Sequence, residues 1–330
     1  MVMATGIVSI AAHMLGFVRL ARALYALNGL LYAGTWVLYL LRMAWYPRAF
    51  IGDLADHLRG PGYFTVIAAS AVLGSQALML YGHIGGAFAL WCVSVVLWPT
   101  LTYAIFTVLT VKESKPSLDR GINGGWLLAV VATQSIAVLS AMLATRIGPA
   151  FRLELNFLAL SMWLWGGMLY IWIVSLIFYR YTFFEVHPGD LASPYWINMG
   201  AMAISTLAGA LLIANAPDAP FLEMLHPFIM GFTIFYWATG TWWIPMLVAL
   251  SVWRHVHERF PFTYDPQYWG KVFPLGMYAA STHALIAALD LDFLDFVPRL
   301  AFAVALVAWL TIFTGWLRAL PRSDTAGLRG

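Results

Sequence analysis

The sequence predicts an all-α polytopic membrane protein with ten transmembrane helices, and two observations lead to that fold class. First, 62% of the 330 residues are hydrophobic and only 10% are charged, which is too little charge to cover a water-soluble chain of this length. Second, the charged residues cluster, so that apolar runs of about 18 residues or more lie between them, and this is the length of a membrane-spanning helix.

Segmentation at charged residues and at Gly/Pro clusters places the helices along the chain. We expect a single ten-helix domain over residues 1–320 and a short cytoplasmic tail over 321–330. The predicted helices, numbered 1 to 10 in chain order, are 1–17, 20–45, 62–82, 86–111, 122–144, 154–180, 195–215, 227–253, 269–289 and 298–318.

The distribution of Lys and Arg predicts the orientation. Thirteen of the 18 basic residues follow even-numbered helices or lie in the tail, and five follow odd-numbered helices. Because basic residues concentrate in cytoplasmic loops, both termini are predicted to be cytoplasmic, in a multi-pass protein of the cell (plasma or inner) membrane. The acidic loop 290–296 agrees, since it falls on the opposite side.

Composition also excludes several classes of function. The formal net charge of +3 is small and comes mostly from loops, so it does not indicate nucleic acid as a partner. Cys92 is the single cysteine, which excludes an intramolecular disulfide and a cysteine-based metal site. The histidines show no metal-ligand spacing, and we expect no metal or cofactor.

A repeat marks the odd-numbered helices. Helices 3, 5, 7 and 9 each start with Gly or Pro and an aromatic residue, and hydroxyl side chains follow roughly 6–12 residues later. At about 1.5 Å rise per residue, the longer of these offsets brings the hydroxyls near the middle of a ~30 Å hydrocarbon core. The hydroxyl-bearing residues predicted to line a path are Ser70, Thr133, Ser205, Thr206, Ser281 and Thr282.

Close helix packing is the alternative explanation of these residues, because Ser, Thr and Gly often mark contacts between membrane helices. Four recurrences confined to odd helices favour a shared role over separate packing roles. We therefore expect five helical hairpins, with odd helices inside around a polar path and even helices outside facing lipid.

Helix 1 carries its own polar stripe. Thr5, Ser9 and His13 are spaced by four residues and share one helix face, and they are further candidates for lining the path. No aromatic residue precedes them, so we expect a natural first helix with roughly 10–20 more residues upstream.

The predicted path suits anions better than cations. No carboxylate lies well inside a span, although proton- and sodium-carrying helices commonly place one there. Five odd helices would point their N-termini, each with roughly +0.5 of an elementary charge, at the cytoplasm. His13 and His283, both candidates for lining the path, are the histidines near a polar stripe inside the spans. Proton coupling or anion contact fits them, and so does a hydrogen-bonded packing role.

An intramembrane enzyme is a remote alternative. Ser9 or Ser281 with His13 or His283 could form a serine–histidine pair. The strand–turn–helix setting that a serine hydrolase requires is missing around GIVSI (6–10).

The stretch YWGKVFPLGMYAASTHAL (268–285) gives the most specific hypothesis about a functional site. On a helical wheel, the Phe273 ring projects from a face built mainly of small residues, including Gly276. Pro274 removes one helical hydrogen bond and Gly276 loosens the next turn, which predicts a kink beside the ring. A bulky ring that projects from a face of small residues is what a hydrophobic gate requires. Ordinary packing of an aromatic residue beside a proline kink explains the same residues equally well.

The sequence resembles the tellurite-resistance/dicarboxylate transporter family, part of the superfamily of slow, or voltage-dependent, anion channels. MATGIVSI (3–10), WGKVFPLGMY (269–278) and the ten-helix pattern carry the resemblance. It implies five hairpins in a quasi-fivefold ring around a central pore, odd helices lining that pore, and often a homotrimer. It also implies that Phe273 occludes the pore, which favours the gate.

The resemblance implies transport of a small inorganic or organic anion across the lipid bilayer. Dicarboxylates such as malate, sulfite, chloride, nitrate and tellurite-related anions are all candidates. A channel or uniporter is the first hypothesis, and a proton-coupled dicarboxylate or sulfite carrier is the alternative.

Overall fold

The computed structural model describes residues 1–191, 193–261 and 263–326, and the regular structure within them is helical. Ten long helices follow one another along the chain. They are α1 (Val2–Met14), α2 (Val18–Trp45), α3 (Phe64–Tyr81), α4 (Ile84–Val111), α5 (Leu128–Ala144), α6 (Arg152–Phe183), α7 (Ile197–Asn215), α8 (His226–Val252), α9 (Trp269–Leu289) and α10 (Phe296–Ala326).

The helix bounds lie close to those expected from the sequence, and the differences have local causes. Helix α10 runs on to Ala326, six residues into the segment predicted as a tail; residues 327–330 lie outside the described part. Helix α5 starts at Leu128, six residues later than expected. Its predicted first residues form a separate 3-10 turn instead.

Such a turn precedes four of the odd-numbered helices. These turns coincide with the Gly/Pro and aromatic starts seen in the sequence, and they are Gly60–Tyr63, Gly124–Leu127, Ser193–Trp196 and Pro266–Tyr268. Proline and glycine favour such tight turns ahead of a helix because proline presets φ and glycine adds no side chain. The repeat in the sequence is therefore also a repeat in the backbone.

Eight helices are long and apolar enough to cross a membrane, so this is a multi-pass membrane protein. The two other long helices differ for separate reasons. Helix α1 has 13 residues, which is short for a span. Helix α8 has 27 residues, and many of them are tryptophan, tyrosine or threonine, whose polar groups make them less apolar than aliphatic residues.

Burial separates the odd-numbered helices from the even-numbered ones. In the most apolar stretches of α3, α5, α7 and α9, between 67% and 94% of the residues are buried, compared with 11% to 44% in α2, α4, α6 and α10. In α1, every residue from Val2 to Ala12 is buried. The odd helices are thus inside and the even helices outside.

Helix contacts follow the chain order. Each odd helix packs against the even helix that follows it, which gives five hairpins, α1–α2 to α9–α10. Among the buried helices, α1 packs on α3, α3 on α5, α5 on α7, α7 on α9, and α9 on α1.

Small residues allow the buried helices to approach closely. A Cβ atom on Gly200 of α7 would lie 2.7 Å from Cγ of Pro274 on α9, and one on Gly276 would lie 3.0 Å from Cγ2 of Ile7 on α1. Both distances are shorter than normal carbon contacts, so α9 fits between its neighbours only because these two positions are glycine.

Replacement of Gly200 by alanine therefore tests the packing of α7 on α9. We expect Gly200→Ala to lower the melting temperature in detergent, because overpacking a filled contact costs about 1–3 kcal/mol. The control is Gly231→Ala in α8, where nothing lies within 4 Å of the added Cβ and alanine is the better helix former. Equal melting temperatures for the two variants would contradict this contact.

Candidate functional site

The larger of two axial cavities, here called the vestibule, has a volume of about 410 Å³. It lies where the buried helices begin. Its walls include Thr65, Leu128, Ile197 and Gly270 from the first turns of α3, α5, α7 and α9, and Phe273 from the second turn of α9. The other walls include residues 1–4, at and just before the start of α1, and Tyr32, Trp36 and Tyr39 from one face of α2.

The second cavity, here called the inner cavity, has a volume of about 60 Å³ and walls from all five buried helices. The wall residues are spaced i, i+3 and i+7 on most helices, and this spacing arranges them in three tiers. The first tier is Ile7, Val72, Ser135, Ile204 and Met277; the second is Ile10, Ser75, Val138 and Leu207; the third is Met14, Met79, Met142, Leu211 and Ala284.

Phe273 stands between the two cavities on α9. It lines the vestibule, and Met277, one helical turn further along the same face, lines the inner cavity. Only 2% of Phe273 is exposed, so its ring is enclosed at the level where the vestibule ends.

Pro274 and Gly276, the two residues expected to kink α9, lie inside one unbroken helix, Trp269–Leu289. Both serve as close-packing positions: the Pro274 ring packs on Gly200, and Gly276 faces Ile7 and Val8. Phe273 therefore lies on a helix that packs closely against α7 on one side and α1 on the other.

The candidate hydroxyls make a repeated set of hydrogen bonds to the outer helices. Trp98 Nε1 of α4 donates to Thr133 Oγ1 of α5 over 2.8 Å, and Trp237 Nε1 of α8 donates to Thr282 Oγ1 of α9 over 3.0 Å. The same relation joins Tyr32 of α2 to Ser70 of α3 at 2.8 Å, and Trp309 of α10 to Thr5 of α1 at 3.0 Å.

The fifth contact of this set uses a carbonyl. Trp163 Nε1 of α6 donates to the backbone oxygen of Ser205 on α7 over 2.9 Å. In each of the five cases, an aromatic side chain of an even helix bonds to the next odd helix, and α10 bonds back to α1. We call these five contacts the aromatic ties.

The other hydroxyl candidates bond to backbone carbonyls. Ser9 Oγ donates to Ala21 O of α2 at 2.7 Å. Ser205, Thr206 and Ser281 donate to carbonyls three or four residues earlier in their own helices, over 2.8, 2.9 and 3.3 Å.

Neither cavity is lined by any of these eight hydroxyl residues. Their hydrogen bonds favour helix packing, the alternative that the sequence left open, over a position on the path. Phe273 is the site candidate that does line a cavity.

The two histidines lie near the far end of the inner helices and are half-buried. His13 Nδ1 is buried and has no hydrogen-bond partner among the described residues. Neither His13 nor His283 lines the vestibule or the inner cavity, so their roles in coupling or packing remain predictions.

The electrostatics of the vestibule favour anions. The N-terminal turns of α3, α5, α7 and α9 border it, and each helix start carries a partial positive charge. Lys271 lies next to the lining residue Gly270, with its Nζ 5.3 Å from the centre of the Tyr268 ring. The helix starts favour negative charge in this space, and Lys271 is a basic residue next to its wall in the chain.

The segment before α3, which includes the short helix Pro47–Leu54, contributes charge and rigidity to the same end of the molecule. Asp53 accepts hydrogen bonds from Arg59, at 2.8 Å, and from Arg42. The hydrogen bond from Arg59, together with Arg42, holds the pKa of the Asp53 carboxyl below its usual value. Phe50 and Tyr63 pack edge-on against Tyr39, a residue of the vestibule wall.

Comparison with known sequences agrees with this arrangement. The family described as "Voltage-dependent anion channel" matches residues 1–317, nearly the whole chain. The chain belongs to the voltage-dependent anion channel family. The resemblance seen in the sequence is confirmed, and the family is one of membrane transporters and channels.

Two relatives illustrate the range of similarity within the family. An uncharacterized transporter of Methanocaldococcus jannaschii is 25% identical over 276 residues, which is 83% of this chain and 78% of the relative. An uncharacterized membrane protein of Mycobacterium tuberculosis is 39% identical over 152 residues, which is 46% of this chain and 77% of the relative.

Sequence reasoning missed the walls of the inner cavity because it searched the helices for polar residues. The signal was an i, i+3, i+7 triplet on four buried helices, for example Ile7, Ile10 and Met14 or Ile204, Leu207 and Leu211. Such triplets are also the pattern of ordinary core packing, so the sequence alone does not separate them from other apolar positions.

Cysteine labelling tests which hydroxyl positions meet water. In a Cys92→Ser background, we expect Thr65→Cys, on the vestibule wall, to react quickly with a charged methanethiosulfonate reagent. Thr133→Cys should be protected, since Thr133 is 1% exposed and held by Trp98. Equal labelling rates in folded protein would instead put Thr133 on the water-filled path.

Proposed function

We propose that this protein carries small anions across the membrane through a central conduit, and that Phe273 closes it. The ten helices form five hairpins in a quasi-fivefold ring, with the odd helices around the conduit. The observation that carries the proposal is the position of the Phe273 ring between two cavities, both of which are walled by all five buried helices.

The cyclic order of helix contacts supports the ring. Each buried helix packs on the next, α9 packs on α1, and the aromatic ties follow the same order around the bundle. Membership of an anion channel family supports the type of cargo.

The gate works by excluding water. A hydrated anion that enters the vestibule meets positive helix ends and then the Phe273 ring, which fills the passage to the inner cavity. An ion cannot shed its water there, because the ring offers no hydrogen-bond donor, and a narrow apolar constriction stays dry. Movement of the ring joins the two cavities.

The cargo is a small inorganic or organic anion, with dicarboxylates such as malate, sulfite, chloride, nitrate and tellurite-related anions as the candidates. A channel or uniporter is the preferred mechanism, because no Asp, Glu, His, Lys or Arg side chain lines either cavity among the described residues. A proton-coupled dicarboxylate or sulfite carrier is the second candidate, favoured by Nδ1 of His13, which is buried and has no hydrogen-bond partner among the described residues.

We propose the cell membrane as the location, with both termini in the cytoplasm. The excess of Lys and Arg at the vestibule end supports this orientation, which would make the vestibule the cytoplasmic mouth. A homotrimer stays a prediction, and cross-linking in native membranes would test it.

Substitution of Phe273 tests the gate. We expect Phe273→Ala to raise anion flux per folded molecule in reconstituted vesicles several-fold, because it removes the bulk between the cavities. Phe273→Leu should have a smaller effect, since leucine restores part of that bulk. Folding should survive in both variants, as measured by melting temperature and monodispersity.

Phe64→Ala is the matched control. Phe64 is 1% exposed, packs near Phe106 and lines neither cavity. Truncation of a buried core phenylalanine costs about 3–5 kcal/mol, so this variant should lose stability without a gain in flux. If Phe273→Ala behaves like Phe64→Ala, the ring is a packing residue and the gate is wrong.

A gradient experiment separates the two transport mechanisms. At a fixed membrane potential, we expect a pH gradient to drive no accumulation of anion into vesicles, because His13 and His283 lie off the cavity walls. Proton-driven accumulation that His13→Gln or His283→Gln abolishes, with the fold intact, would establish the coupled carrier.

A further inference from the structure

The inner cavity presents apolar walls along its whole length. Two of its wall residues, Ser75 and Ser135, have hydroxyl groups, but each donates to a carbonyl four residues earlier in its own helix, over 2.9 and 2.7 Å. The other wall residues are aliphatic or methionine side chains. An anion inside the cavity would therefore meet no free hydrogen-bond donor.

The cavity is also too small for a hydrated ion. Its volume is about 60 Å³, and one water molecule needs about 10–15 Å³ of such space, so the cavity holds a few water molecules at most and not an ion with its hydration shell. Apolar cavities larger than this one hold no water. An unpaired charge in such surroundings carries a desolvation cost of several kcal/mol.

These walls do not depend on the Phe273 ring. On α9 the cavity begins at Met277, one turn beyond Phe273, and ends at Ala284, so it extends over about 10 Å of helix. Displacement of the ring opens the vestibule end and leaves this apolar segment unchanged.

We propose that the inner cavity is a second barrier to anions, in series with Phe273, and that Ile204 is one of the residues that set its height. This inference rests on the proposed function and adds to it. Ile204 belongs to the first tier, directly beyond the gate, and is 1% exposed. When two barriers lie in series and the Phe273 ring is removed, the inner cavity becomes the barrier that limits anion flux.

A double-variant experiment in reconstituted vesicles tests this, with chloride as the probe anion and flux normalised to folded protein. The variants are Phe273→Ala, Ile204→Ser and the double variant. We expect Ile204→Ser alone to change flux by less than about twofold, because the ring still closes the path. The double variant should exceed Phe273→Ala by at least about tenfold, which corresponds to a barrier lower by about 1.4 kcal/mol.

Two matched variants in the Phe273→Ala background separate polarity from space and position. Ile204→Ala widens the cavity but leaves it apolar, so it should raise flux less than Ile204→Ser. Ile136→Ser makes the same change at a residue that is 1% exposed and lines neither cavity, and it should add no flux.

The outcomes distinguish this inference from the proposed function. A large rise in Phe273→Ala with less than a twofold further gain in the double variant would overturn the second barrier and leave the gate intact. An equal gain from Ile136→Ser would also overturn it, because the effect would then be general loosening. If no folded variant raises the flux of chloride or of the other candidate anions, the proposed function itself fails.

Discussion

The five aromatic ties are the interaction on which the rest of the architecture depends. In a hydrocarbon medium there is little hydrophobic force between helices, so close packing and hydrogen bonds hold them together. Each tie joins an even helix to the odd helix of the next hairpin, and the last joins α10 to α1. They therefore connect neighbouring hairpins, whereas the short loops connect helices within one.

The aromatic ties also explain why the side chains that line the inner cavity are mainly apolar. A threonine hydroxyl that accepts from an indole on its outer side, such as Thr133 from Trp98, is not available to an ion on its inner side. The residues two positions further along, Ile7, Val72 and Ser135, face the inner cavity instead. Polar side chains thus stabilise the bundle, and mainly apolar side chains are left to line the inner cavity.

The sequence was sufficient for the helical membrane fold class and for the approximate limits of most long helices, because apolar length, charge clusters and Gly/Pro starts are local signals. It also singled out Phe273 as a candidate, since a bulky ring on a small-residue face is visible on a helical wheel, and the role of that ring as a gate stays a prediction. The orientation of Thr5, Ser70, Thr133 and Thr282 was not predictable in the same way. Their partners lie 304, 38, 35 and 45 residues away in the chain. The position of a residue along a helix indicates its depth in the membrane, but it does not indicate which neighbouring helix the side chain faces.

The tie between Trp309 and Thr5 has a consequence for biosynthesis. These residues are 304 positions apart, and ribosomes add about 5–20 residues per second. The first helix must therefore wait on the order of 15–60 s for its last partner. During that interval Thr5 and the face of α1 that α9 and α10 later cover are open to lipid or to the insertion machinery. Assembly of this bundle is complete only when the last hairpin packs against the first helix. A nascent chain that stalls before the final hairpin therefore leaves one side of α1 uncovered.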